Sequence, residues 1–98
     1  MNRNIEKIRQ TLKGLGNYTK AKFKAEIIGI FGSYARGEQK KGSDLDILVR
    51  FHKGASLFDL VGLSDFLEGK LKVKVDVVSE RAVREELKET IFKEAIAV

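Results

Sequence analysis

The chain has no cysteine, no proline and no tryptophan in 98 residues. Without cysteine there is no disulfide framework and no thiolate metal site, which suits a cytoplasmic protein. Aromatic residues are few, at 8%, and are not interleaved with the basic ones. A stacking platform for single-stranded nucleic acid is therefore missing, and no direct nucleic-acid binding is expected. No apolar run approaches the roughly 20 residues of a membrane span. Met1 to Glu6 lack the apolar core of a signal peptide. The expectation is a soluble cytoplasmic protein with no membrane association, organised as a single domain over residues 1–98. Charged residues make up 34% and the net charge is +5, which favours anionic partners such as nucleotides or an acidic protein.

What is present is concentrated in the middle of the chain. Ile27-Ile28-Gly29-Ile30-Phe31 is an apolar run that reads as the end of a first strand, Ala25 to Phe31. Gly32-Ser33-Tyr34-Ala35-Arg36-Gly37 follows. Glycine lets the backbone turn tightly and approach a ligand, and peptide N–H groups at the start of a short helix attract anions. A basic surface turn, Glu38 to Gly42, leads into Ser43-Asp44-Leu45-Asp46-Ile47-Leu48-Val49. In an extended chain Asp44 and Asp46 share one face, while Leu45, Ile47, Val49 and Phe51 share the other and can bury. Asp44 also suits a plain turn. Asp46, inside an apolar strand, runs against propensity.

On either side the spacing predicts an amphipathic helix over Asn4 to Leu12, ending near Gly14 and Gly16, and a basic loop from Asn17 to Lys24. Ser56 and Asp59 suggest a capping box opening a helix whose apolar positions are Leu57, Leu60, Val61, Leu67 and their neighbours, closed by Gly69. Lys72 to Val78 alternates as a third strand. Its parity sets Lys74, Asp76 and Val78 against Val73, Val75 and Val77. A last helix is expected after Ser79, with Val83, Leu87, Ile91 and Ala95 on its core face. If the second and third strands are adjacent, Asp44, Asp46 and Asp76 converge at one end of the sheet. Three such carboxylates repel unless a cation neutralises them, and hard oxygen donors suit Mg²⁺ or Mn²⁺.

The pattern Gly-Ser-x-Ala-Arg-Gly, a short loop and Ser-Asp-x-Asp resembles the DNA polymerase β-like nucleotidyltransferases, and most closely their minimal nucleotidyltransferase (MNT) branch. The family often carries a proline in that loop, which is absent here. The resemblance implies an α/β (α+β) palm, a small mixed sheet flanked by helices. It implies that Asp44, Asp46 and Asp76 are catalytic and hold two Mg²⁺ ions, with Asp76 also a candidate general base. It assigns Gly32 and Ser33 to the nucleotide phosphates. Arg36 either reaches a phosphate or pairs with a motif carboxylate, and Ser43, at the start of the strand, completes the nucleotide-binding set. ATP is the implied substrate. The implied activity is AMP transfer to a hydroxyl of a partner protein, as the antitoxin of a HEPN-domain ribonuclease toxin. Two alternatives stand beside it: a binding antitoxin acting by contact alone, and a nucleotidyltransferase acting on RNA or a small molecule. An exposed edge strand leaves a homo-oligomer open.

Overall fold

A computed structural model describes residues 3–98, with side chains from Ile5 onward. Helix α1, Arg3–Gly14, presents Ile5 and Leu12 to the core and is followed by α2, Gly16–Phe23. Strand β1 is Ala25–Phe31 and the single-turn α3 is Ser33–Arg36. Strand β2, Leu45–Phe51, precedes the long helix α4, Leu57–Leu71, and β3, Val75–Ser79. A 3₁₀ turn over Glu80–Ala82, helix α5, Glu85–Glu94, and the two-residue β4, Ile96–Ala97, complete the chain.

The four strands form one mixed sheet in the order β3-β2-β1-β4. Strands β1 and β2 are antiparallel neighbours, and β2 and β3 are parallel, joined through α4. Among the described residues no helix is long and apolar enough to cross a membrane. The alternation in β2 has its expected consequence. Leu45, Ile47 and Val49 are buried with Ile27, Ile30 and Val75, and are covered by Leu12, Leu63 and Leu67 from the helices. Phe51 is only half-buried.

Several local expectations are corrected. The basic stretch 17–24 is largely helix, not loop. Its apolar periodicity is weak, and packing supplies what the pattern lacks. Tyr18 stacks on Phe66 with ring centroids 4.8 Å apart, Phe23 lies 5.6 Å from Phe66, and Thr19 is buried with its hydroxyl donating to the Gly16 carbonyl. Helix α4 runs through Gly69 and ends with Lys72 in the left-handed conformation (φ 61°). Leu71 and Val73 pack against the core, so the last turn is held beyond the glycine. Its start agrees with the capping box, the Ser56 N–H donating to Asp59 Oδ2 at 2.8 Å. The third strand begins at Val75 instead of Lys72, and the second at Leu45 instead of Asp44, which lies just before it. Ser79 leads into a 3₁₀ turn, and the last helix starts at Glu85. Val83 is buried ahead of that helix and Ala95 follows it.

Strand β4 was not expected, since two residues carry no readable period. A bulge makes room for it. The β1–β2 register shifts between Ile27 and Gly29, and the carbonyl of Ile28 accepts from the Val98 N–H at 3.1 Å. Gly29 pairs with Ala97, and a Cβ there would meet the Ile96 carbonyl oxygen at 2.8 Å. The obstacle is backbone, so it cannot rotate aside. Gly29→Ala is expected to lower stability by about 1–3 kcal/mol, measured by urea unfolding, through displacement of β4.

Candidate active site

The two halves of the motif meet at one end of the sheet. Phe31, the last residue of β1, pairs with Asp46, and Asp46 pairs across the parallel ladder with Asp76. The register therefore sets the two carboxylates on adjacent strands, beside the turn that leaves β1. Asp44 lies exposed just before β2.

Gly32 makes that turn possible. Its φ of 74° is one that side chains rarely adopt, and a Cβ on it would run into the Asp46 carboxylate. Helix α3 starts at the next residue, Ser33. The first peptide N–H groups of a helix lack partners within it and form a ready anion site. Gly37, at φ 71°, closes the turn, and the Glu38 N–H donates to the Ser33 carbonyl at 2.9 Å. The loop that follows is tied without proline. Ser43 Oγ accepts from the Lys40 N–H at 2.8 Å, and the Ser43 N–H donates back to the Lys40 carbonyl at 2.9 Å. Ser43 thus fixes the approach to Asp44. Gln39 Oε1 in the same loop is buried without a partner among the described residues, an acceptor with no signature in the sequence.

Arg36 pairs with neither motif carboxylate. Its Nε donates to Glu38 at 2.9 Å and its Nη1 to Glu94 at 3.3 Å, and these two acids raise its pKa. Glu94 sits 58 positions away at the end of α5 and gave no sequence signal; only the fold brings it to α3. Arg36 still acts on the site at longer range, drawing the Asp46 pKa down. Larger influences act the other way. Burial, then the negative charges of Asp76 and Asp44, push the Asp46 carboxyl up to about 6.

The donor set fits a divalent cation of the Mg²⁺ type. All three groups are carboxylates, and Asp46 is held at the cost of repulsion that a cation would remove. Among the described residues no three acid, histidine or cysteine side chains are grouped so that together they could hold a metal ion. The pair set in register is Asp46 and Asp76, with Asp44 acting on Asp46 through its charge. Mg²⁺ commonly takes one or two carboxylates and completes its shell with substrate phosphate and water. His52, the lone histidine, lies just past the opposite end of β2, its backbone N–H donating to the Lys24 carbonyl.

A model of the nucleotidyltransferase domain family matches residues 5–98. The protein adenylyltransferase MntA of Thermococcus cleftensis is 35% identical over 94 residues, covering 96% of this chain and 95% of that one. A solved structure described as a minimal nucleotidyltransferase superposes with a TM-score of 0.80 at 39% identity, covering 99% of this chain and 95% of the other. A toxin–antitoxin structure with AMP-PNP matches with a TM-score of 0.64 at 26% identity, covering 85% of this chain and 72% of its counterpart. The site at the sheet end, the extent of the family match and the shared fold lead to one conclusion: this chain belongs to the nucleotidyltransferase domain family and is a nucleotidyltransferase of the minimal type.

Proposed function

We propose that the chain transfers AMP from ATP to a hydroxyl of a partner protein, and that this partner is a HEPN-domain ribonuclease toxin for which the chain is the antitoxin. The observation that carries the reading is the register of Asp46 beside Asp76 at the mouth of the Gly32-Ser33 turn. Likeness to an adenylyltransferase of nearly equal length, and to a toxin–antitoxin structure holding an ATP analogue, supports it.

In this reading the peptide N–H groups and hydroxyl of Ser33 hold the β- and γ-phosphates, and Gly32 leaves room for them. Ser43 steadies the loop around the nucleotide. Arg36 adds positive charge within range of the carboxylates and is kept in place by Glu38 and Glu94. Asp44, Asp46 and Asp76 would hold two Mg²⁺ ions, which would lower the cost of charge on the α-phosphate and on the departing pyrophosphate. Asp76 takes the proton of the acceptor hydroxyl as its oxygen bonds to the α-phosphorus and the bond to pyrophosphate breaks.

The test is intact mass after incubation with ATP and Mg²⁺ and the product of the adjacent gene. AMP added to that partner by the wild type, and not by an Asp44→Ala/Asp46→Ala variant with an unchanged circular dichroism spectrum, is the expected result. A tight complex with no added mass would overturn transfer and leave neutralisation by contact.

A further inference from the structure

Strand β3 is an edge of the sheet, paired on one flank only. Its outward backbone is partly blocked. The Val75 N–H donates to Glu68 Oε2 at 3.0 Å, and the Val75 carbonyl accepts from Ser64 Oγ at 3.3 Å, both from α4. Strand alternation makes Val77 the next residue with outward N–H and carbonyl groups. Among the described side-chain hydrogen bonds none reaches Val77. Among the described hydrogen bonds the edge is stopped at its first residue and open at Val77, and β3 holds no proline.

The start of α4, the helix that packs on β3, carries uncovered apolar surface. Phe58 is 89% exposed, Leu57 71% and Val61 53%. They share one side of the first turns of α4, where the sequence pattern had placed core. Individually exposed apolar residues are ordinary, but a contiguous set this bare marks a contact surface. Between α4 and β3 runs a groove of about 210 Å³ whose walls include Val61, Ser64 and Val77, and Asp76 lies on it. The Ser64 hydroxyl bonds to the Val75 carbonyl, Val61 lines the same groove one turn earlier on α4, and Leu57 and Phe58 precede it in the first turn of that helix.

We propose that the acceptor segment of the partner protein docks here in extended form, adding to the edge of β3, with its apolar side chains on Leu57, Phe58 and Val61 and its hydroxyl-bearing side chain at Asp76. The inference rests on the transfer reading above and specifies its substrate. An open strand edge is matched by extended polypeptide backbone and not by nucleic acid. The exposed apolar strip calls for apolar side chains in that polypeptide. Continuity of the groove with Asp76 makes the docked segment the acceptor itself.

The test is Phe58→Asp, with Leu57→Asp as a second variant. Both side chains stand mostly in solvent, so the melting temperature and AMP-PNP binding should match the wild type. With the product of the adjacent gene as substrate, the KM for that protein is expected to rise tenfold or more while kcat at saturation changes little. A KM unchanged in both variants, with the wild type active, overturns the proposal. So does a variant that only converts a wild-type dimer to monomer with transfer intact, because the edge then belongs to a second copy. If the wild type binds the partner but transfers nothing, the transfer reading fails by itself. The variants' affinity for the partner then decides whether this edge is the docking surface, and undiminished affinity overturns it.

Discussion

Asp46→Asn should reduce nucleotidyl transfer by about a hundredfold to a thousandfold and at the same time make the metal-free protein melt higher at pH 8. The two effects have one origin. Asp46 is the carboxylate with closest support from both halves of the site, paired in register with Asp76 and lying against the Gly32 turn. Removing its charge removes a donor that no neighbouring group replaces, and losses of this order follow when electrostatic stabilisation of a transition state is removed. The same charge is a burden to the folded chain. Its carboxyl is raised to about 6 by burial and by the charges of Asp76 and Asp44, against an ordinary value of 3.8. Between those values the folded state retains a proton that the unfolded chain has released. Stability from this group is therefore greatest below about pH 4 and is lost as the pH rises through 6. A shift of that size would correspond to about 3 kcal/mol at full strength, and partial solvent access reduces it to about 1 kcal/mol. Asparagine carries no such penalty. Thermal melts should show the variant above the wild type at pH 8 and level with it near pH 4. A variant equal to the wild type at pH 8 would contradict the assigned repulsion. Mg²⁺ should narrow the gap by stabilising the wild type alone.

Gly32→Ala should be nearly as damaging to transfer, for a steric reason. At φ 74° the new Cβ is strained, and it also falls on the Asp46 carboxylate, an obstacle fixed in a strand. Either the turn or the carboxylate must give way, and both belong to the site. Expected are a loss of transfer of a hundredfold or more and a destabilisation of about 1–3 kcal/mol. Gly42→Ala is the control. That glycine also has a positive φ, of 89°, but a Cβ on it meets nothing within 4 Å. It should cost stability and leave most of the transfer activity. Equal loss of activity in both variants would show that backbone strain, and not collision with Asp46, is responsible.

Much of this was readable in the chain because the motif is local. Ala25–Phe31, the Ser33–Arg36 turn and the alternation from Leu45 onward each rest on neighbouring residues, and each was found where expected. The side of Asp76 was legible through parity, since facing the opposite way from Val75 and Val77 does not depend on the partner strand, whereas its place beside Asp46 depended on the two strands being adjacent, as they are. What stayed hidden depends on distant packing. Helix α2 is held by Tyr18 and Phe23 against Phe66, which no window around residue 20 contains. The Arg36–Glu94 pair and strand β4 have the same character. The exposed start of α4 failed for another reason. Leu57 and Phe58 obey the apolar period of a core face, and a surface awaiting a partner has the same period as one already buried.

The ladder that pairs Asp46 with Asp76 encloses the whole of α4 between its two strands. No small opening at a terminus or loop separates the two carboxylates; only loss of the β2–β3 ladder does. The pairing of the two carboxylates is thus present or absent together with that ladder. A nucleotide bound as proposed would draw on the stability of the ladder, and its binding should slow amide exchange along β2 and β3 as a unit, where the α3 turn alone would be the limit of a local effect.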